Sequence, residues 1–226
     1  MPPRALEPAG VALVDKPAGP SSFAVVAQVR RLTGARTGHA GTLDPFATGL
    51  LLLLSGRATK IAPWLVGLDK RYVTDVDLTA RTSTGDPEGP VVETLDPPDE
   101  VELEERLALL RGEIELPIPA ASAVKIGGER AYRLARRGVD VEMPLRRSTV
   151  HALDVIAYTG DAVTLDLRVS SGTYVRAIAE ALGGHCRTLR RTEVGPFSVD
   201  DAVAPEAFEP SHLLAEADVL ARIGRG

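Results

Sequence analysis

Leu50 to Leu54 is an unbroken run of five leucines. A strand of that composition has no polar side to give to water, so it is expected to be buried on both faces. Immediately ahead of it stands Gly38-His39-Ala40-Gly41-Thr42-Leu43-Asp44-Pro45-Phe46-Ala47-Thr48-Gly49. Glycine permits backbone angles that other residues avoid, and proline fixes its own. A carboxylate set in such a turn is held in one orientation, and loops carried by a rigid scaffold are where catalytic groups tend to sit. Asp also enters turns simply as a cap, and the turn alone does not separate these two uses.

The rest of the chain supplies interleaved strands and helices. A short strand is expected over residues 10–14. Ser21-Ser22 caps a helix whose Val25, Val26, Val29 and Leu32 have helical spacing, with Gly34 as its stop. A short helix is expected over 57–66, with Pro63 as a blemish inside it. Over 71–80 the residues alternate, Tyr72, Thr74, Val76 and Leu78 on one side and Asp75 and Asp77 on the other, which reads as a half-buried strand. Turn chemistry fills 84–90 and 95–99, and a helix follows over 101–110, its acids early where the helix dipole favours them. Residues 117–147 look like an insertion with its own helix over 129–137. Strands are expected over 148–158, 163–169 and 189–197, and helices over 173–182 and 210–223. This order lacks the strict alternation of a doubly wound sheet. The fold class is α+β, with a mixed, largely antiparallel sheet, in one domain over 1–226.

Composition excludes several functions. The longest apolar run is far short of the ~20 residues a membrane span needs. Met1-Pro2-Pro3-Arg4 does not resemble a secretory signal. One cysteine, Cys186, leaves no disulfide framework. His39, His151, His185 and His212 are scattered, without partners at metal-ligand spacing. The expectation is a cytoplasmic protein with no metal and no cofactor. Net charge is −5, but it is unevenly spread. Residues 119–147 hold seven bases against three acids, whereas 86–115 hold eleven acids against two bases. One basic lobe can still hold a phosphate backbone, although charge runs are more often a solvated face.

Residues 38–51, GHAGTLDPFATGLL, resemble the catalytic-aspartate motif of the TruB family of pseudouridine synthases. Further blocks follow in the family's order: Val14-Asp15-Lys16-Pro17, Asp69-Lys70-Arg71-Tyr72, Ser122-Ala123-Val124-Lys125, Ser171-Gly172-Thr173-Tyr174-Val175-Arg176 and Leu189-Arg190-Arg191-Thr192. The resemblance implies the pseudouridine synthase fold, a sheet with a central catalytic cleft and flanking helices. It implies isomerisation of uridine 55 in the T-loop of tRNA, with the base flipped out of the RNA first. Asp44 would then be the essential catalyst and Arg176 the cation that keeps it ionised and aimed. Tyr72 would lie beneath the target base and could relay its C5 proton. His39 would fill the space the flipped nucleotide leaves. Tyr174 and Leu189 would line the pocket, Lys16 would support the aspartate or contact phosphate, and Lys125, Arg136 and Arg137 would hold the RNA backbone. Each of these residues also has an ordinary structural reading: packed strand aromatic, surface cation or turn histidine. Family members usually continue into a small C-terminal RNA-binding domain of the PUA type, for which the residues after Val203 are too few. The resemblance implies the tRNA T-arm as partner, and a monomer without an obligate protein partner is expected. The alternatives are a pseudouridine synthase with another RNA target, such as a guide-dependent one, and a non-catalytic RNA-binding or RNA-folding module.

Overall fold

The computed structural model describes residues 8–122, 124–131, 134, 137, 139 and 141–225. In chain order the elements are β1 (Gly10–Lys16), α1 (Ser22–Thr33), β2 (Thr37–His39), β3 (Thr48–Ser55), α2 (Ala62–Val66), β4 (Lys70–Asp77), β5 (Ala80–Thr82), β6 (Val91–Thr94), α3 (Glu100–Leu109), β7 (Gly112–Pro117), β8 (Lys125–Ile126), β9 (Glu129–Arg130), β10 (Leu145–Tyr158), β11 (Ala162–Val169), α4 (Val175–Ala181), β12 (His185–Val194), β13 (Phe197–Ser198) and α5 (Glu216–Arg222). By contacts the chain divides into two compact units, residues 1–72 with 190–226 and residues 73–189. It passes between them within β4 and again within β12.

The first unit is built on the five leucines. β3 pairs antiparallel with β1, from Gly10 opposite Ser55 to Lys16 opposite Gly49, and antiparallel with β2. The end of β12 adds in parallel, Arg190 opposite Thr48 and Arg191 opposite Gly49. Leu50, Leu52 and Leu54 pack with Val11, Leu13, Ile61, Leu65, Phe197 and Val219, while Leu51 and Leu53, also buried, alternate to the other face. Ser21 caps α1 by accepting from the Ala24 N–H at 3.2 Å, and Gly34 ends it in the left-handed conformation. Val25, Val26 and Val29 are buried as their spacing predicts, but Leu32 is half exposed on the outer side. Pro63 is no blemish: a 3-10 turn over Gly56–Ile61 precedes it, and it stands in the first turn of α2, where its missing N–H costs nothing. The single helix expected over 210–223 is instead a 3-10 turn at Pro210–His212 followed by α5. Between them Leu214 exchanges backbone hydrogen bonds with Val11 at 2.9 and 3.0 Å, a pairing that pulls the chain out of helix.

The second unit has the strand order β4-β11-β10-β7. β10 pairs antiparallel with both β11 and β7, and two register shifts against β11 bend it. Its burial is weakly patterned, so sequence alternation finds its core badly. α3 is capped by Asp99, which accepts from the Glu102 N–H at 2.9 Å, and buries Leu103 and Leu107. Where a helix was expected to begin at 129, Glu129–Arg130 pairs with Lys125–Ile126 in a hairpin turned by Gly127 and Gly128, both at positive φ. The named pairings run antiparallel apart from β3 with β12. The class is therefore α+β with a mixed, mostly antiparallel pattern.

Candidate active site

Asp44 is half-buried in the turn that feeds β3, and the first unit fixes the backbone on both sides of it. The Ser22 hydroxyl accepts from the Leu43 N–H at 2.9 Å and donates to the Leu43 carbonyl at 2.8 Å, bracketing the residue before Asp44. Lys16 is fully buried and donates to the carbonyls of Pro17 (2.8 Å), Pro45 (3.1 Å) and Ala47 (2.7 Å). Its ammonium is thus inside the turn rather than at the surface. Arg191, also buried, donates from Nε to the Leu50 carbonyl at 2.7 Å and from Nη2 to the Gly41 carbonyl at 3.1 Å, joining the two ends of the turn. Gly49 has φ 101°, and a side chain there would strike the Arg191 backbone. This glycine is required twice, by its angle and by its neighbour.

The same guanidinium reaches two other groups. Burial and then the charge of Arg191 lower the pKa of His39, so neutral imidazole is the favoured form. The rings of Phe23 and His39 meet nearly at right angles with centroids 5.3 Å apart, and the Nδ1 of His39 is buried without a hydrogen-bond partner among the described residues. Burial first and Arg191 second bring Lys70 down to about 8. Its ammonium donates to the Val66 carbonyl at 2.5 Å and to that of Leu68, closing the C-terminal end of α2. Tyr72 follows two residues later, buried on the same side of β4 as the alternation predicts.

Arg176, at the start of α4 in the second unit, is buried. It donates to the carbonyls of Thr84 at 2.6 Å and Ala121 at 2.9 Å and stands 3.3 Å from the Asp86 carboxylate. Asp86 is buried too, and accepts from the Thr84 hydroxyl at 2.5 Å and the Glu88 N–H at 3.1 Å. Burial raises the nearby Glu180, against the pull of Arg176 and Arg81. A buried guanidinium with a buried carboxylate is a fixed charge, unlike a surface arginine.

The sequence reading missed Asp86, Ser22 and Arg191. Asp86 looked like one acid in a turn of many, and only its burial sets it apart. Ser22 sits beside the true cap and looked like part of it.

Of the other candidates, Leu189 is buried on β12, and Tyr174 half-buried at the N-terminus of α4 beside Arg146 and Pro117. Lys125 is exposed on β8. Arg137 makes a two-pronged pair with Glu129 at 2.8 and 2.9 Å. Arg136 lies outside the described residues. Among the described residues no three His, Cys, Asp or Glu side chains gather as a metal site, and no helix is long and apolar enough to cross a membrane.

Comparison with solved structures identifies the class. A chain in a crystal structure of a Cbf5–Nop10–Gar1 complex superposes with a TM-score of 0.66 at 29% identity, over 86% of this chain and 51% of that one. A crystal structure of pseudouridylate synthase shares the fold, with a TM-score of 0.53 at 17% identity, over 97% of this chain and 75% of that one. The fold is that of the pseudouridine synthases. The sequence narrows it: the model of the TruB family pseudouridylate synthases, N-terminal domain, matches residues 29–175. The tRNA pseudouridine synthase B of Mycobacterium sp. (strain KMS) is 44% identical over 93% of this chain and 77% of its own length. That of Corynebacterium jeikeium (strain K411) is 45% identical over 90% and 72%. This chain belongs to the TruB family of pseudouridylate synthases.

Proposed function

We propose that the chain isomerises uridine to pseudouridine in tRNA, at position 55 of the T-loop. The observation that carries this is the Asp44 turn, a carboxylate whose flanking backbone is clamped by Ser22, Lys16 and Arg191. The reaction breaks the N1–C1′ bond, turns the uracil over and forms C5–C1′. The C5 hydrogen leaves to solvent and N1 gains one, so nothing is gained or lost overall. That chemistry needs a carboxylate fixed near the anomeric carbon, and positioning of this kind is where rate is gained.

In this reading Asp44 is the catalyst and Arg176 the catalytic cation that the family resemblance implies. Tyr72 supports the base and relays the C5 proton. Tyr174 and Leu189 line the pocket, His39 occupies the space left in the RNA, and Lys125, Arg136 and Arg137 hold phosphates. Lys16 acts on the turn, since its three carbonyl partners leave it no reach to an RNA phosphate. The protein works as a monomer in the cytoplasm, on tRNA alone. The likeness to a chain of a Cbf5–Nop10–Gar1 complex favours, as a second reading, an enzyme that needs partner proteins.

Tritium release from C5-labelled uridine in an unmodified tRNA transcript tests both. Purified chain alone is expected to release tritium and leave pseudouridine in the T-loop. Asp44→Asn is expected to lose at least about 10³-fold in turnover, the scale of removing a catalytic group. Release only after other proteins are added would favour the second reading. Equal release by wild type and Asp44→Asn would overturn the role of Asp44.

A further inference from the structure

A groove of about 360 Å³ opens between α1 and β2, lined by Phe23, Val26, Ala27, Arg30, Gly38 and His39, with Thr37 at its edge. Phe23, Ala27 and Arg30 stand at i, i+4 and i+7, one stripe of α1, and all three are exposed. Phe23 keeps 71% of its surface in water. A ring that meets His39 nearly at right angles and is otherwise open to water has surface left for another ring. His39, disfavoured as a cation by burial and Arg191, adds a ring rather than a charge. The floor is open at Gly38, where a side chain would meet nothing within 4 Å.

Arg30 lines this groove, Arg31 follows it on α1 and Arg36 stands just before β2. Arg30, Arg31 and Arg36 are exposed, and no carboxylate pairs with them among the described residues. A stacking ring beside unpaired cations is how proteins hold single-stranded nucleic acid.

We infer that the α1–β2 groove takes one unstacked base of the RNA, a neighbour of the target uridine, stacked on Phe23, while Arg30, Arg31 and Arg36 hold the adjoining phosphates. The inference rests on the proposed reading of the chain as an RNA-modifying enzyme. It gives the RNA a second anchor in the unit that carries Asp44, so the target nucleotide is placed by its neighbour as well as by its own pocket.

The test is equilibrium binding of an unmodified tRNA transcript, in an Asp44→Asn background so that the RNA is not converted. Phe23→Ala and Gly38→Leu, the first trimming an exposed ring and the second filling the groove, are each expected to weaken binding about tenfold, the effect of losing one stacked base. Arg30→Gln is expected to lower the slope of log Kd against log salt by about 1. Transcripts made abasic at single positions beside the target uridine locate the base. One position is expected to weaken binding to the parent protein about tenfold and leave binding to Phe23→Ala unchanged. If the parent binds the transcript tightly and every variant matches it, the groove holds no base and the inference falls while the enzyme reading stands. If the parent neither binds nor, as wild type, converts the transcript, both fall together. Thermal melts of Phe23→Ala and Gly38→Leu that match the parent show that the changes act on binding and not on folding.

Discussion

At the scale of single residues, the turn around Asp44 is held by side chains whose importance lies in what they touch. Ser22 is the sharpest case, because its hydroxyl makes two hydrogen bonds to Leu43 and is itself buried. Ser22→Ala leaves both backbone groups without a partner, which costs about 1–3 kcal/mol. The expected outcome is a lower midpoint in urea, with kcat falling more than KM rises, because the damage is to the aim of Asp44. A thermodynamic loss with unchanged kcat would show that the turn tolerates slack. Arg176 and Asp86 behave differently. Removing the cation by Arg176→Met strands a buried carboxylate, and breaking a buried pair in that way costs about 3–5 kcal/mol. In the double variant with Asp86→Asn that part of the loss is expected to be recovered, while activity is not. A urea melt beside an activity assay separates the two.

At the scale of elements, the helices and the long strands were legible in the sequence, while the short strands and the ends of elements were not. The alternation from Lys70 to Asp77 and the spacing of Val25, Val26 and Val29 carried enough signal to place β4 and α1. The hairpin of Lys125–Ile126 with Glu129–Arg130 carried none, because two-residue strands have no period. β4 ends in a local device. The Asp77 carboxylate accepts from the Thr79 N–H at 2.9 Å and hydroxyl at 2.6 Å and pairs with Arg187 on β12 at 2.7 Å. Burial on its own would raise its pKa, but the bonds from Arg187 and Thr79 outweigh it and leave Asp77 at about 2. The folded-state value lies below the unfolded one, so this stabilisation is present above about pH 4 and is lost as pH falls towards 2. Asp77→Asn is expected to flatten that stretch of the stability profile, measured by urea midpoint from pH 5 to pH 2.

At the scale of the whole molecule, the first unit is assembled from both ends of the described chain. Asp15 donates its N–H to the Val203 carbonyl at 2.9 Å and Val203 returns one to Leu13 at 3.1 Å. Phe208 and Val219 are buried, and Val219 shares a cluster with Val11, Leu13 and Phe197. The residues after 203 are therefore part of the core that backs β1 and, through it, β3 and the Asp44 turn. Truncation after residue 202 removes both side chains, uncovers the core residues they pack against, and unpairs an edge of β1. A burial loss of about 1.5–3 kcal/mol for each large side chain is a large part of the 5–15 kcal/mol that typically holds a domain together. The truncated chain is expected to lose its cooperative thermal transition. A melt unchanged from the full chain would show that the tail only lies on the surface.

What the sequence by itself determined is the local chemistry: the leucine strand, the glycines and prolines that shape the turn around Asp44, and the ordered motifs by which the family is known. These are legible because they depend on residues near one another in the chain, through period, composition and backbone angle. The tertiary structure alone decided which polar groups are buried. It put the ammonium of Lys16 inside the turn, set Arg191 across the turn from the far end of the chain, and made Asp86 the buried partner of Arg176. Burial is a property of everything packed around a residue, and the residues that supply it here lie tens to more than a hundred positions away. No window along the chain contains that information, so a lysine, a serine and an aspartate of ordinary appearance became the framework of the site only when the chain closed around them.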